Sequence, residues 1–407
     1  MPRLLKTSVL ILSLLASVAG IISAQSTSSP YSIFGIGILE SKSIGPSKGM
    51  GGTGIAFMSD LSVNSMNPAS YSGIDSLLTI FEVGIFGKYS SFSTVRDEQS
   101  TVNANLKYVL MGFRINPWLA TSFGFSPVSS IGYNINATAP VEGTPQEYLE
   151  TFSGTGGVNQ LYAGASIKLL KNLSIGVNSA YLFGNITRME SSATFDYSYK
   201  DVTYVSNFDF DYGLNYQINI KKWKYNIGII YSRSKDLRTK NTTTITTPTG
   251  TETLKEYTYD YSIPQNIGAG IAVRNGFFRA GVDFERSDWK DIEFTNVYFQ
   301  TRNSSRYSFG TEFPLPGSRK GTGKMIFLRF GGEYRQSYLL VDNTPIDGGT
   351  LTFGTGLPLK GTLNAINVAL ELGQIGTTKR GLIRENYIGV HLDMSLRDLW
   401  FRKRMYE

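Results

Sequence analysis

The sequence of 407 residues contains no cysteine and a single histidine. The absence of cysteine excludes disulfides, a thiolate zinc site and a thiol nucleophile, and one histidine cannot build a metal site from several imidazoles. Charged residues make up 17% of the chain, against about 25% in an average soluble domain. No nucleophile–base pair is indicated by spacing. We therefore predict that the protein is not an enzyme and holds no cofactor and no metal.

Aromatic residues and glycine are abundant instead. The chain has 24 tyrosines, 24 phenylalanines and 43 glycines, and hydrophobic residues reach 41%. Aromatic and β-branched residues favour strands, whereas glycine and asparagine favour tight turns. This composition excludes a disordered chain and favours many strands joined by polar turns.

The N-terminus is typical of a secretory signal peptide over residues 1–24. Arg3 and Lys6 form a basic start, residues 9–19 are apolar, and Ala24 fits a small-residue cleavage site. A membrane anchor is less favoured, because the apolar stretch is short and small polar residues follow it. The only dense basic cluster lies at the extreme C-terminus, so we predict no nucleic-acid partner.

Period-2 alternation is the strongest pattern in the chain. It runs unbroken through residues 207–220, NFDFDYGLNYQINI, where every even position is apolar and every odd position is polar or glycine. The same pattern returns in 160–169, 278–285, 326–335, 366–372 and 387–396. Fourteen residues exceed the usual soluble strand of about 5–6, and they suit a tilted span of about 9–11 residues with an extension. A secreted sandwich would also alternate, but the signal peptide, the strand length and the aromatic load favour a membrane barrel.

Turn signals divide the chain into an all-β, fourteen-stranded antiparallel transmembrane β-barrel. Short connections are predicted at Asn116-Pro117, Lys171-Asn172, Lys221-Lys222, Asn275-Gly276, Pro316–Gly323 and Pro358–Gly361. The predicted strands are 76–95, 103–115, 118–134, 156–170, 173–197, 201–220, 223–234, 256–274, 277–292, 297–315, 324–341, 349–357, 362–373 and 385–396. The Thr-rich segment Lys235–Lys255 is predicted as a polar outer loop, with a further break near Lys200.

The predicted domains follow from this division. Residues 25–75 are an N-terminal plug inside the barrel, 76–396 are the barrel, and 397–407 are a periplasmic C-terminal tail. Short turns are expected to face the periplasm and long loops the outside, which places both termini on the periplasmic side. The expected location is the outer membrane, with outer-membrane lipid around the barrel.

Several short motifs resemble the long-chain fatty acid transporter (FadL-like) family of outer-membrane barrels, and within it the Bacteroidota branch. They are SPYSIFGIG from Ser29, the Gly51-Gly52-Thr53-Gly54 run, Asn67-Pro68-Ala69, SFGFSP from Ser122, NVALELG from Asn367, Glu385-Asn386-Tyr387 and Trp400-Phe401. The resemblance spans the mature chain and implies a fourteen-stranded barrel with an N-terminal hatch. It also implies uptake of hydrophobic molecules through a lateral opening beside a kinked third strand.

The resemblance assigns two groups of site residues. The plug motif comprises Gly51, Gly52, Gly54, Asn67, Pro68 and Ala69, and the lateral-opening candidates are Gly124, Ser126 and Pro127. Pro127 is informative without the resemblance, because proline cannot donate to a strand ladder. A simple bulge near the outer rim is the alternative for that position. Gly49, Gly51 and Gly54 also spell a dinucleotide-binding pattern, but no strand precedes it, so a plug turn is favoured.

The alternation also predicts which polar residues face the lumen. These are Arg279, Asp283, Glu285, Arg329, Glu333, Arg335, Glu371, His391 and Asp393. We expect them to pair with one another or to hold the plug, with His391 either a pH-sensitive contact or a structural member of this network. A lumen with this many charged groups is poorly suited to the passage of an apolar molecule. An apolar ligand would need a separate pocket, which the apolar residues of the plug could form. The alternative is that these residues only pack the plug against itself and the wall. They are Phe34, Ile36, Ile38, Leu39, Ile55, Phe57 and Met58.

The sequence is compatible with two functions. One is a transporter that takes up hydrophobic, fatty-acid-like small molecules across the outer membrane. The other is a non-transporting accessory subunit of an outer-membrane protein assembly or of a type IX secretion complex. The tail carries Trp400 and Phe401 among basic residues and could dock on an envelope protein partner.

Overall fold

The computed structural model describes residues 27–59, 61–141, 143–257, 261–290, 292, 299–315, 325–359 and 362–399. The expected signal peptide and the tail residues Trp400 and Phe401 lie outside this part of the chain. Across the described ranges, no helix is long and apolar enough to cross a membrane.

The first described residues, 27–75, form an irregular segment that lies inside the barrel, and we call this segment the plug. It contains three short 3-10 helices and one short strand: η1 (Pro30–Ile33), β1 (Ile38–Leu39), η2 (Gly45–Met50) and η3 (Pro68–Gly73). Regular structure is sparse here because glycine, proline and serine recur, so the plug depends on contacts with the wall for its shape.

Fourteen antiparallel strands form the barrel, so the predicted fold class is confirmed. Each strand pairs with the next, and the last pairs with the first from Leu78↔Leu399 to Ser93↔Arg384, which closes the barrel. The barrel strands are β2 (Leu78–Ser93), β3 (Glu98–Asn116), β4 (Leu119–Pro140), β5 (Glu147–Leu170), β6 (Leu173–Ser192), β7 (Tyr197–Ile220), β8 (Trp223–Ser232), β13 (Asn266–Asn275), β14 (Phe278–Ser287), β16 (Ser304–Pro314), β17 (Phe327–Gln336), β20 (Gly348–Pro358), β21 (Ala365–Ile375) and β22 (Arg384–Leu399).

Short elements fill the connections at the opposite end from the tight turns, which we call the loop end. They are β9 (Lys235–Leu237), β10 (Thr239–Thr247), β11 (Gly250–Tyr257), β12 (Tyr261–Ile263), β15 (Phe299–Thr301), β18 (Leu339–Val341), β19 (Thr344–Pro345) and the 3-10 helix η4 (Lys379–Gly381). The buried side chains of Trp289, Tyr338 and Ile346 form a cluster with Tyr31 of the plug. The loops therefore fold over the lumen.

The structure refines two sequence expectations about the loop end. The Thr-rich segment Lys235–Lys255 lies in the connection between β8 and β13, as predicted, but it is not irregular, since β10 and β11 form a hairpin that continues the barrel sheet along β7. Threonine is β-branched and favours strands, and this propensity outweighs the polar composition. The break expected near Lys200 lies at residues 193–196, and Lys200 pairs within β7.

The period-2 pattern separates the two faces of the wall. Along β7 the side chains of Phe208, Phe210 and Tyr212 point outward and are exposed, with Phe208 62% exposed, whereas Asn215 is buried. The outward faces of the other strands carry a similar apolar set, such as Ile271, Val282 and Phe309. An apolar exterior around a polar interior is the arrangement that lipid requires.

The plug runs down the lumen from the loop end. Ser29 donates a hydrogen bond to Glu385 at the loop end of β22, whereas Pro68 and Ala69 lie against Gly176, a few residues from the turn that precedes β6. We expected the mature chain to start at the turn end. Residues 27–75 carry no periodic pattern, so the sequence does not indicate the direction in which they run.

Candidate functional site

Among the described barrel strands, one joint is interrupted, and it lies between β3 and β4. Their ladder runs from Asn116↔Leu119 to Val109↔Phe125 and ends there. Beyond that point β3 pairs with β2, and β4 pairs with β5. We call the gap between residues 98–108 and residues 126–140 the seam. Ser126 and Pro127 border the seam, whereas Gly124 lies in the paired part opposite Leu110.

A bend in β4 accompanies the seam. The β4–β5 register shifts between Pro127 and Ser129, so that Val128 is an extra residue. Pro127 cannot donate to a ladder, which weakens pairing at this level. On the neighbouring strand, Gly157 lies opposite Ser130 with a φ of +148°, and a Cβ there would stand 2.3 Å from the Ser129 carbonyl oxygen. The bend therefore continues into β5 at a position that requires glycine.

The plug takes the place of β3 as a partner of β4. Ile38 pairs with Ser130 and Leu39 with Ser129 in antiparallel register, and the Glu40 amide donates to the Val128 carbonyl at 2.9 Å. Farther toward the loop end, the Ser32 hydroxyl donates to the Gly132 carbonyl and accepts from the Gly132 amide, both at 3.1 Å. Backbone groups at an open strand edge need such partners. The plug thus covers the edge that β3 leaves free.

Glu40 contacts both sides of the seam. Its carboxylate accepts from the Lys107 ammonium of β3 at 2.7 Å and from the Ser130 hydroxyl of β4 at 2.9 Å. Lys107 is an extra residue in the β2–β3 register, which directs its side chain inward. Burial raises the pKa of Glu40, but the Lys107 charge and these hydrogen bonds outweigh it and hold that pKa below its usual range. Glu40 is therefore a charged clasp between two strands that do not pair.

Two cavities lie on either side of this plug segment. The larger one, about 400 Å³, lies beside β14–β22, and the smaller one, about 170 Å³, reaches Pro127 and the seam. We call them the chamber and the seam cavity. Both are lined by residues 39–43 of the plug together with Lys48 and Lys107. The segment around Glu40 is therefore the partition between the two spaces.

The charged residues predicted for the lumen form ion-pair networks, and the first of these networks lines the chamber. Arg306 binds Glu285 and lies 2.7 Å from Glu333, which also binds Arg335 at 2.8 Å. In a second group Glu312 accepts hydrogen bonds from Arg279 at 3.0 Å and from Arg329 at 2.6 Å. Complementary pairing of this kind is what allows charges to be buried.

A third group surrounds the histidine. His391 lies 2.7 Å from Glu371 and stacks on Phe86, while the Tyr387 hydroxyl donates to Glu371 at 2.8 Å. Asp393 accepts from the Tyr108 hydroxyl at 2.5 Å, and that hydroxyl accepts the Gly45 amide of the plug. The structure therefore places all nine lumen candidates inside the barrel, in ionic or hydrogen-bonded contacts.

The plug motif residues fix the plug to the wall. Gly51 has a φ of +62°, and its amide donates to the Thr352 hydroxyl at 2.7 Å. The Gly52 carbonyl accepts from Arg306 at 2.7 Å, and the Gly54 amide donates to Asp283 at 2.6 Å. The Asn67 side chain caps η3 through the Ala69 amide and donates to the Ile55 carbonyl at 2.7 Å. Pro68 and Ala69 then pack against wall glycines where no side chain would fit.

The apolar plug residues do not form one pocket. Ile36 packs with Ile131 and Tyr108, and Ile55 packs with Met66 and Ile230 in a separate cluster. Phe57 belongs to a third group, and Phe34 contacts Phe299 of the loops. Ile38 and Leu39 lie in β1 and line the chamber. Most of these side chains pack the plug, which is the alternative weighed above.

Several residues of the site were not predicted from the sequence. Glu40, Lys48 and Lys107 lie outside the clear alternating segments, and Glu82, Glu312 and Glu385 were not assigned to the lumen although their strands were expected. The parity of β16 would have placed Arg306, Ser308 and Glu312 on one face. Among the described residues, no group of acidic residues and histidine could hold a metal ion.

Solved structures of hydrocarbon channels share this fold. The toluene transporter TodX of Pseudomonas putida matches with a TM-score of 0.61 at 16% identity, over 89% of this chain and 100% of that one. The toluene transporter TbuX of Ralstonia pickettii matches with a TM-score of 0.59 at 15% identity, over 88% and 99%. The CymD monoaromatic hydrocarbon channel matches with a TM-score of 0.58 at 16% identity, over 90% and 100%. At these identities the similarity establishes the barrel fold.

Comparison with curated proteins finds no matching sequence. A family model does match, and it covers residues 4–407, almost the whole chain. The family is described as BamG. The chain therefore belongs to the BamG family.

Proposed function

We propose that this protein takes up small hydrophobic molecules across the outer membrane and releases them sideways through the seam between β3 and β4. The observation that carries the proposal is the end of the β3–β4 ladder at Val109 and Phe125, which leaves a joint closed by the plug and not by the wall. A cavity reaches this joint from inside. The apolar band outside the barrel would receive the released molecule.

The size and lining of the seam cavity favour a small molecule. Its volume is about 170 Å³, and an apolar protein cavity of about 150 Å³ can bind benzene. Apolar side chains line its seam side: Leu39, Leu110, Phe125, Pro127, Val128 and Tyr162. Ionic groups line parts of both cavities. An extended acyl chain would have to fill the chamber as well, where it would desolvate groups such as Arg306, Glu333 and Glu371 at a cost. We therefore favour a ligand of single-ring size over a long fatty acid.

Uptake of radiolabelled toluene by cells tests this route. Cells that lack the gene should take up toluene more slowly than cells complemented with the intact gene. A lock can then be built at the seam, because the chain has no cysteine and Leu39 lies directly opposite Ser129. Oxidation of a Leu39→Cys/Ser129→Cys variant should lower the initial uptake rate to that of the deletion strain, and reduction should restore it.

The matched control is Phe113→Cys/Thr121→Cys, which joins β3 to β4 where they already pair. Its oxidation should leave uptake unchanged. Equal toluene uptake in the presence and absence of the gene would refute transport of this probe. A lock that has no effect, in a strain whose uptake depends on the gene, would show that the molecule leaves by another path.

A second function, as a non-transporting accessory subunit of an outer-membrane protein assembly or type IX secretion complex, is favoured by how firmly the plug is held. Buried contacts fix it to the wall at Asp283, Arg306, Glu82 and Asn178, from mid-lumen to the turn end. Membership of the BamG family also supports this alternative. A plug fastened at so many points suits a closed barrel that serves as a scaffold.

A pull-down in mild detergent distinguishes the two functions. The tagged native protein would be purified, and proteins and lipids in the same eluate would be identified by mass spectrometry. A bound apolar molecule without a stoichiometric protein partner supports transport. An empty barrel in a stoichiometric complex with envelope proteins supports the accessory role, and loss of that complex in a Trp400→Ala/Phe401→Ala variant would assign the contact to the tail.

A further inference from the structure

We propose that Ile38–Glu40 is a removable gate strand in the barrel wall and that Glu40 is its latch. The gate acts at the same seam as the proposed uptake route, but its movement can be measured without any transported molecule. The inference concerns three consecutive plug residues and the two strand edges beside them.

The backbone attachment of this strand is small. β1 makes two residue pairs with β4, whereas the ladder between β3 and β4 below the seam makes seven. The backbone of β1 therefore adds only a few hydrogen bonds, each worth about 1 kcal/mol of net stability, and its other attachment is the packing of Leu39 against the apolar clusters beside it. The remainder of the plug is fixed elsewhere, at Asp283 and Arg306, so the gate strand can move while those contacts stay in place.

The side chain of Glu40 adds hydrogen bonds to the few that the backbone of β1 makes. It binds Lys107 on one side of the seam and Ser130 on the other. These are charge-assisted hydrogen bonds in a partly buried setting, which are roughly twice as strong as neutral ones. The latch therefore holds β3, β1 and β4 together at one level.

A second cation, Lys48, increases the importance of Glu40 for the closed arrangement. Lys48 lines both cavities beside Lys107, and burial together with the Lys107 charge lowers the pKa of Lys48. While Glu40 is in place its carboxylate lies near both ammonium groups. Without Glu40, Lys48 keeps the nearby charge of Glu371, but the repulsion between Lys48 and Lys107 is no longer offset by a carboxylate between them, which disfavours the closed arrangement.

Displacement of the segment would join the two cavities. Residues 39–43 separate the chamber from the seam cavity, so withdrawal of β1 would connect a space of about 400 Å³ to the seam. The same movement would expose the edge of β4 from Val128 to Ser130. A closed and an open wall then differ by one short strand.

The reporter for this movement is a single cysteine, Leu39→Cys, in the otherwise cysteine-free chain. A maleimide joined to a bulky polyethylene glycol chain cannot enter the closed lumen, so its reaction rate in isolated outer membranes measures gate opening. Glu40→Gln in this background should raise the rate about tenfold, the change expected when one charge-assisted hydrogen bond is lost. Lys107→Met should raise it similarly, and the double variant should exceed neither single variant by much, because both remove one interaction.

The matched control is Glu385→Gln. Glu385 is also a buried carboxylate that joins the plug to the wall, through Ser29 at 2.8 Å and Lys88 at 2.6 Å, but it lies away from Glu40 at the loop end. Its removal should leave labelling of Leu39→Cys unchanged. Heat-modifiable migration on gels verifies in each variant that the barrel is folded.

Equal labelling in the Glu40→Gln, Glu385→Gln and parent proteins would overturn the latch. The gate proposal and the uptake proposal can be refuted independently. Faster labelling in Glu40→Gln without gene-dependent toluene uptake keeps the gate and refutes uptake of toluene. Gene-dependent uptake that the Leu39–Ser129 lock abolishes, together with unchanged labelling in Glu40→Gln, keeps the uptake route and refutes Glu40 as its latch.

Discussion

The carboxylate of Asp283 in β14 accepts the backbone amides of two consecutive plug residues, Gly54 at 2.6 Å and Ile55 at 3.0 Å. One buried wall side chain therefore satisfies two donors that no secondary structure would satisfy. The plug has little regular structure, and its position depends on wall residues of this kind.

Replacing Asp283 should loosen the plug without unfolding the barrel. Asp283→Ala leaves two amides without an acceptor, at about 1–3 kcal/mol for each buried group, and Asp283→Asn should cost less because its carbonyl oxygen still accepts. The measurement is the maleimide labelling rate of a single cysteine at Ser62, which is buried in the plug. Asp288→Ala, in an exposed pair with Arg286, is the control and should not alter labelling.

A side chain at Gly51 should displace the plug from β17. Gly51 has a φ of +62°, and a Cβ would stand 2.4 Å from the Gly332 nitrogen. Gly276 has a similar φ of +58° but open space around it. Gly276→Ala therefore measures the backbone cost alone, about 1–2 kcal/mol, and Gly51→Ala should raise Ser62→Cys labelling well beyond it. Similar labelling in both variants would mean that the contact with Gly332 relaxes freely.

The ion pairs of the lumen should matter far more than those on the surface. Arg329→Met leaves Glu312 with one partner and Asn367 with a free oxygen, and breaking a buried pair costs about 3–5 kcal/mol. Arg286→Met breaks an exposed pair worth about 0–1 kcal/mol. The temperature at which the heat-modifiable band converts on gels should fall clearly for Arg329→Met and hardly at all for Arg286→Met. The reverse order would contradict the pairing described for the lumen.

The latch should respond to acid in a defined direction. The pKa of Glu40 is lowered in the folded protein, so its stabilising contribution is complete at neutral pH and is lost as pH falls through that lowered pKa. Lys107 and Lys48 are the charged groups that face it. Labelling of Leu39→Cys with an acid-tolerant thiol reagent should therefore rise below the ordinary carboxyl range. In Glu40→Gln the rate should be high at every pH and show no such step.

The barrel strands were predictable from the sequence, whereas much of the loop end and the path of the plug were not. Turn signals together with alternation in six segments predicted all fourteen barrel strands, and the short turns at Lys171-Asn172 and Asn275-Gly276 lie where they were expected. The hairpin of β10 and β11 was missed because its polar threonines lack an apolar face. The long stretch of β4 beyond residue 134 was missed for a related reason, since near the rim both faces of a strand meet water or loops.

The candidate site divides in the same way. The parity of residues 278–285 and 387–396 placed Asp283, Glu285, His391 and Asp393 in the lumen, because successive side chains in a strand point to opposite faces. The alternation does not indicate which side chains on neighbouring strands form ion pairs. Arg306 meets Glu285 and Glu333 only because β16 lies between β14 and β17 in the closed sheet.

By itself, the sequence determined the class of fold, the number of strands and, in the clearly alternating segments, which side chains face the lumen, because these follow from a local period of two and from turn chemistry. The tertiary structure decided where the wall is interrupted and what covers the interruption. The seam arises from a register shift at Val128 on one strand, an extra residue at Lys107 on another and a plug strand that brings in Glu40. These three features are distant in sequence, and closure of the barrel around the plug brings them into contact.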